Sequence, residues 1–200
     1  MPNPRWSPGH PGGAPVRHDD DPNDATIEPV VEDGNVVIRC EDAEERSAVR
    51  SVNLAAFGQV DEADLVDRLQ QEGVVLLSLV AAVGRKIVGH ILFSRMWIDT
   101  ANSSIPAVAL APMAVLPGHQ RQGVGGRLIR SGLDGLRGRR EQIVIVLGHP
   151  DYYPRFGFSP EKARALESPF RPYPFMATEL SLNALDGICG RVRYPAAFGL

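Results

Sequence analysis

The sequence predicts a single α+β domain: a central, mixed but mostly antiparallel sheet flanked by helices. Three observations predict it. Successive β-rich runs are separated by Gly84-Arg85 and end before Pro117-Gly118, so consecutive strands should pair antiparallel. A strand, a glycine loop, a helix and a further strand then occupy residues 107–147, and this crossover should set its two flanking strands parallel. Finally, 200 residues with 44% hydrophobic and 22% charged side chains suit one domain with a sizeable core, without internal repeats.

The elements follow in order. Residues 1–34 hold Pro2, Pro4, Pro8, Pro11, Pro15 and Pro22, three glycines near Pro11 and the run Asp19-Asp20-Asp21, with no apolar period; a disordered tail is predicted there and the folded domain over 35–200. Val36, Val37, Ile38 and Cys40 make a short strand. Asp42, with Glu45 three residues later, resembles a capping box, and Ala48, Val49, Val52, Ala55 and Ala56 recur at helical spacing after it. A second short helix has Asp61 as cap and Leu65, Val66 and Leu69 on one face, with Gly73 ending it. Residues 74–83, 86–97 and 107–116 read as three consecutive strands. Val124, Leu128, Ile129, Leu133 and Leu136 then form the buried stripe of a helix, with Arg127, Arg130 and Arg137 off that stripe. An uninterrupted apolar strand covers 142–147. Beyond the prolines at 169, 172 and 174, residues 176–182 and 188–194 suggest two closing strands.

Composition narrows the function. The formal net charge of −3, from 24 acidic and 21 basic side chains, supplies no global positive field for nucleic acid or an anionic membrane, and neither is expected as a partner. A local basic pocket for a compact anion is still compatible with it. Cys40 and Cys189 lack the spacing of a zinc site and the density of a disulfide scaffold, so both read as reduced structural thiols, and no metal is expected. No apolar run approaches the roughly 18–20 residues that span a bilayer, and the N-terminus lacks a signal-peptide core; the expectation is a cytoplasmic protein.

The informative passage is Gln120-Arg121-Gln122-Gly123-Val124-Gly125-Gly126, where a strand turns into a helix. Glycines without side chains let backbone N–H groups approach a phosphate closely, and the helix dipole adds partial positive charge there. A tight turn holding nothing would use the same glycines. Arg127 and Leu128 follow the last glycine where a P-loop needs lysine and a hydroxyl residue, so Mg-nucleotide chemistry is disfavoured, and G-x-G-x-x-G fails too. A Rossmann-type enzyme would place the loop after its first strand, whereas three strands in antiparallel order precede this one.

What the passage does match is Q/R-x-x-G-x-G/A after Met113-Ala114-Val115-Leu116-Pro117, and this resembles the acetyl-coenzyme A (acetyl-CoA) signature of the GNAT acetyltransferase superfamily. Tyr153-Pro154-Arg155-Phe156-Gly157-Phe158 resembles the tyrosine and Gly-Phe segment after that family's fifth strand. The likeness covers roughly residues 35–160 by element order.

The resemblance implies a GNAT-like sheet whose fourth and fifth strands splay apart, with acetyl-CoA as acyl donor and cosubstrate. It implies that backbone groups of Met113, Ala114 and Val115 hold the acetyl and pantetheine arm, and that Gln120, Arg121, Gln122, Gly123, Val124, Gly125 and Gly126 hold the pyrophosphate. Tyr153 matches the family position that protonates the departing thiolate, with Tyr152 its one-residue competitor. His149, at the end of the fifth strand, is the candidate acceptor of the amine proton; His90 and His119 are weaker candidates. Arg121, Arg127 and Arg130 are candidates to reach the phosphates. The implied activity is N-acetyl transfer to an amine-bearing small molecule or peptide by direct attack in a ternary complex; the alternative is a non-catalytic acyl-CoA-binding sensor. Exposed strand edges leave a homodimer open.

Overall fold

A computed structural model describes residues 30–31, 36–170 and 174–199. Most of the predicted tail, and residues 171–173 of the proline-rich loop, lie outside the described residues. Val30–Val31 (β1), within the segment expected to be tail, instead pair antiparallel with Val37 and Ile38. The order continues with β2 (Val36–Cys40), α1 (Arg46–Phe57), α2 (Asp61–Gln71), β3 (Val75–Val83), β4 (Lys86–Asp99), β5 (Ser104–Val115), α3 (Val124–Gly138) and β6 (Ile143–Leu147). Two short strands, β7 (Leu166–Glu167) and β9 (Gly190–Arg193), bracket β8 (Phe175–Glu179).

The strands form one sheet in the order β1-β2-β3-β4-β5-β6-β8. All neighbours on this path are antiparallel except β5 and β6, which run parallel as the crossover through α3 requires. β3 stops at Val75, opposite Ser94, and β9 takes the next place along β4 by pairing with Trp97, Ile98 and Asp99. That substitution needs close backbone contact: a Cβ on Gly190 would stand 2.3 Å from the Asp99 carbonyl oxygen.

Local chemistry sets the helix ends. The Glu45 carboxylate accepts the Asp42 N–H at 3.0 Å, the predicted capping contact, and a short 3₁₀ turn at Ala43–Glu45 leads into α1. Gly58 closes α1 at φ 71. Arg50 of α1 pairs with Asp64 at 2.6 Å and also with Asp67, holding α1 and α2 as an antiparallel hairpin.

Three apolar clusters make the core. On one face, Leu128, Ile129 and Leu136 of α3 pack on Leu79, Ile91, Phe93 and Val146 of the sheet. On the other, α1 packs Val49 and Val52 on Val80, Ala82 and Ala114, while α2 packs Leu65, Val66 and Leu69 with Leu92, Met96, Ala109 and Ala111. Alternation along β5 therefore sends Met113 and Val115 toward α3 and Ala114 toward α1. No helix of the described residues is long and apolar enough to cross a membrane.

The feature that makes a site is the divergence of β5 from β6. They pair only at Val108–Val144, Ala109–Ile145 and Leu110–Val146, after which β6 stays with β8 and β5 stays with β4. At that point β5 carries a bulge: Leu92 faces both Ala111 and Pro112, because Ile91 pairs with Met113 and Phe93 with Leu110. Pro112 has no N–H to offer another strand. From Met113 to Val115, β5 pairs with β4 on one edge and has no strand on the other among the described residues.

Candidate active site

Between the diverging strands lies a cavity of ≈ 710 Å³. Its floor includes Met113 and Val115 of β5; one end is formed by Gln120, Arg121, Gly123, Gly125 and Gly126, the other by His149, Tyr152 and Tyr153. Residues 113–115 and 149–153 thus face one space because β5 and β6 part company at Leu110 and Val146.

The loop is shaped by backbone conformations that few residues adopt. Gly123 sits at φ 85 and Arg121 at φ 60, and both turn the chain in the left-handed region. Gly123 then serves as N-cap of α3 without a side chain to satisfy the first helical N–H groups, and the first helical bond runs from Arg127 N to Gly123 O at 3.1 Å. The N–H groups of Val124, Gly125 and Gly126 therefore lack intrahelical acceptors at the positive end of a 15-residue helix. Gln120 spends its amide on the Val115 carbonyl at 2.9 Å, tying the loop to β5. Its side chain holds the loop, and the loop's main chain faces the cavity.

Some expected side chains point elsewhere. Val124 is buried in the α3 core, Gln122 donates to the Gly118 carbonyl at 3.0 Å, and Ala114 faces α1; none of the three side chains lines the cavity. Arg127, expected to reach phosphates, donates to the Val36 carbonyl at 2.9 Å and braces α3 against β2. Arg130 does line the cavity, with its guanidinium 5.4 Å from the centre of the Phe156 ring. Arg155 and Asp151, which the sequence reading did not single out, also line it. Arg155 stacks 4.4 Å from the Tyr152 ring centre and donates to the Tyr152 carbonyl at 3.1 Å. The one signal that could have found it is the alternation of aromatic and basic residues in Tyr152-Tyr153-Pro154-Arg155-Phe156.

At the opposite end Pro154 and the short turn Tyr153–Phe156 replace a full helix, as the prolines at 150 and 154 predict. Tyr153 is 9% exposed, edge-on to Phe158 at 5.7 Å and to Tyr152 at 5.3 Å. Its ring lies over Gly148: a Cβ there would meet Tyr153 Cε2 at 2.1 Å. Burial, with a smaller contribution from Tyr152, drives the Tyr153 phenol well above its ordinary value of 10.0, so it stays protonated through neutral pH. Tyr152 is raised too, again by burial, but Arg155 and Arg130 act against the shift.

The histidines separate cleanly. His149 lines the cavity and its carbonyl accepts the Tyr152 and Tyr153 N–H groups at 3.0 and 3.3 Å, so it is built into the same turn as the phenol. His90 is wholly buried: Asn53 Nδ2 lies 3.2 Å from its Nδ1 and Ser78 Oγ 3.2 Å from its Nε2. Asn53 donates, so His90 Nδ1 accepts and Nε2 carries the proton; burial pushes its pKa well below 6.5. It is a neutral structural link between α1 and the sheet. His119 lies in the 3₁₀ turn Pro117–His119 and does not line the cavity.

Comparisons with known proteins agree with this geometry. The sequence profile of the Acetyltransferase (GNAT) domain matches residues 36–160. The chain is 47% identical over 121 residues to an uncharacterised N-acetyltransferase of Escherichia coli strain K12, YjhQ, covering 60% of this chain and 67% of that one. Among solved structures, the GNAT family N-acetyltransferase YhbS of Escherichia coli in complex with CoA superposes with a TM-score of 0.77 at 28% identity, over 92% of this chain and 97% of that one. A GNAT family acetyltransferase of Brucella melitensis in complex with acetyl-CoA gives 0.69 at 33% identity, over 82% and 98%. Taken with the splayed strands and the glycine-capped helix between them, these matches establish that the chain belongs to the GNAT acetyltransferase family.

Proposed function

We propose that the protein transfers an acetyl group from acetyl-CoA to an amine acceptor by direct attack within a ternary complex. The observation that carries this reading is the single cavity joining uncapped helix N–H groups at one end to a protonated phenol at the other. The residues fit such a cosubstrate: the glycine end presents N–H donors, and Arg121, Arg130 and Arg155 add cationic lining suited to phosphates. Bound acetyl-CoA supplies an activated thioester.

The chain's own groups then have distinct work. Backbone N–H groups from 123–126, with Arg121, hold the pyrophosphate and fix the reach of the arm. Main-chain groups of Met113 and the N–H of Val115, on the β5 edge free of β6, orient the thioester and stabilise negative charge developing on its oxygen, while the main chain of Ala114 is turned toward β4. Tyr153 delivers its proton to the departing sulfur. His149 accepts the proton that the attacking amine loses.

The test is acetyl-CoA-dependent release of free thiol upon addition of amines, followed by mass spectrometry of the acceptor. Amine-dependent thiol release with an acceptor gain of one acetyl group is the expected result. Acetyl-CoA binding without turnover on any amine would contradict it.

A further inference from the structure

The stretch of β5 that floors the cavity has diverged from β6, so within the sheet its place depends on β4. His90 is the β4 residue paired in register with Ala114, the middle of that stretch. The Leu116 N–H donates to the Val88 carbonyl at 2.8 Å, and hydrogen-bonded pairs recur at every second residue, so the Ala114 main chain is bonded to that of His90. Met113 and Val115 thereby turn their main-chain groups to the edge that β6 has left.

The His90 side chain is held from both sides. Asn53 Nδ2 on α1 donates to its Nδ1 at 3.2 Å, its Nε2 donates to Ser78 Oγ on β3 at 3.2 Å, and Ser78 in turn donates to the Ile91 carbonyl at 2.9 Å. The Asn53 amide is itself anchored on the Val49 carbonyl at 2.9 Å. All three side chains are fully buried, and burial keeps the imidazole neutral, with one donor and one acceptor for this chain of bonds. Stability alone is poorly served: three polar groups are withdrawn from water, and Asn53 Oδ1 has no hydrogen-bond partner among the described residues. What such a chain supplies that apolar packing does not is one fixed orientation.

The neighbouring residue on β4 is Gly89, paired with Val115. A Cβ there would stand 3.2 Å from Val124 Cγ1 and 3.3 Å from the Ala114 carbonyl oxygen, so the missing side chain lets the first residue of α3 close on the strand. Gly89-His90 therefore lies between the glycine turn into α3 and the anchor on α1, level with Met113 to Val115.

We propose that His90 is a positioning residue for acetyl transfer: locked between Asn53 and Ser78, it fixes the β5 main chain at 113–115 against which the thioester is oriented. The proposal rests on the acetyl-transfer reading above and adds to it a residue that touches neither cosubstrate nor acceptor. Opening the lock leaves the glycine turn in place, so affinity for the cosubstrate is kept. The thioester then meets donors no longer held in register, and the transfer step slows.

The test compares wild type with His90→Leu, which keeps the bulk and removes both bonds, and with His90→Gln, whose amide accepts from Asn53 and donates to Ser78. Amide hydrogen exchange in the absence of cosubstrate reads the lock itself. In His90→Leu the Ala114 and Leu116 amides exchange about tenfold or more faster than in wild type, while those of 108–110, beside β6, keep their wild-type rates. An equal rise in both segments, or no rise in either, overturns the proposal whether or not acetyl-CoA is the cosubstrate. In acetyl-CoA-dependent thiol release with spermidine as probe amine, His90→Leu lowers kcat by about tenfold or more with the Kd for CoA unchanged, and His90→Gln restores most of kcat. CoA affinity lost in step with kcat, or a glutamine variant as slow as the leucine one, marks a merely structural histidine and contradicts the proposal. If wild type does not turn over spermidine, that failure belongs to the acetyl-transfer reading, and the exchange rates still decide the lock. Should His90→Leu fold poorly, Ser78→Ala removes one bond with little change in volume: faster exchange at Ala114 is expected, and a wild-type rate contradicts the proposal.

Discussion

Tyr152 and Tyr153 are adjacent in the chain, and their surroundings assign them different work. Tyr153 is pressed over Gly148 and Phe158 and is kept protonated by burial, whereas Tyr152 stacks on Arg155. Replacing Tyr153 with Phe should lower kcat for thiol release by about 10² without changing the Kd for acetyl-CoA. Tyr152→Phe should leave kcat near wild type. Parallel steady-state assays check the pair, and equal losses would remove the distinction. At this scale the sequence was informative where backbone freedom is the signal: Gly123 stands out because the left-handed turn that opens α3 favours glycine. It was uninformative where a long side chain chooses among partners. Nothing in the string shows that Arg127 braces Val36 while Arg130 turns into the cavity, because both lie off the apolar stripe and differ only in what packs nearby.

The seating of α3 on the sheet decides where its N-terminus points. Gly132 lies against Phe93, and a Cβ there would meet the ring at 2.3 Å. Helix propensity alone makes Gly132→Ala favourable by about 1 kcal/mol. Phe93 is fully buried and has no room to give, so overpacking wins and the variant should be destabilised by about 1–3 kcal/mol, read by denaturant unfolding. A more stable variant would show that the helix stands further from the sheet. Helices and long strands were legible in the sequence because apolar period and glycine punctuation are local. β7 was not predicted, and β9, which falls within the closing strand expected over 188–194, was not assigned its partners: Trp97 to Asp99 lie about 90 positions away in the chain, a pairing no local pattern encodes. The bulge at Ala111 and Pro112 was hidden for the same reason, since it exists only relative to Leu92 on the neighbouring strand.

Across the whole molecule, stability should bear the mark of Glu41. This carboxyl is fully buried, and neither oxygen has a hydrogen-bond partner among the described residues. Burial, helped by Glu45 and opposed by Arg46, pushes it up to about 9 from 4.5. A folded-state value above the unfolded one means the stabilisation is complete below about 4.5 and is lost as pH rises toward about 9. Glu41→Gln should therefore match wild type near pH 4 and exceed it by roughly 2 kcal/mol near pH 8. Urea melts at both values check this, and a difference independent of pH would refute it.

The central claim is that the glycine turn into α3 holds the pyrophosphate of acetyl-CoA. Calorimetric titration of acetyl-CoA into wild type and Gly125→Asp, with circular dichroism confirming that both are folded, tests it most directly. Binding by wild type and none by the variant, whose carboxylate stands at the uncapped N–H groups, is the predicted result. Equal affinity in the two proteins would place the cosubstrate elsewhere and contradict the account.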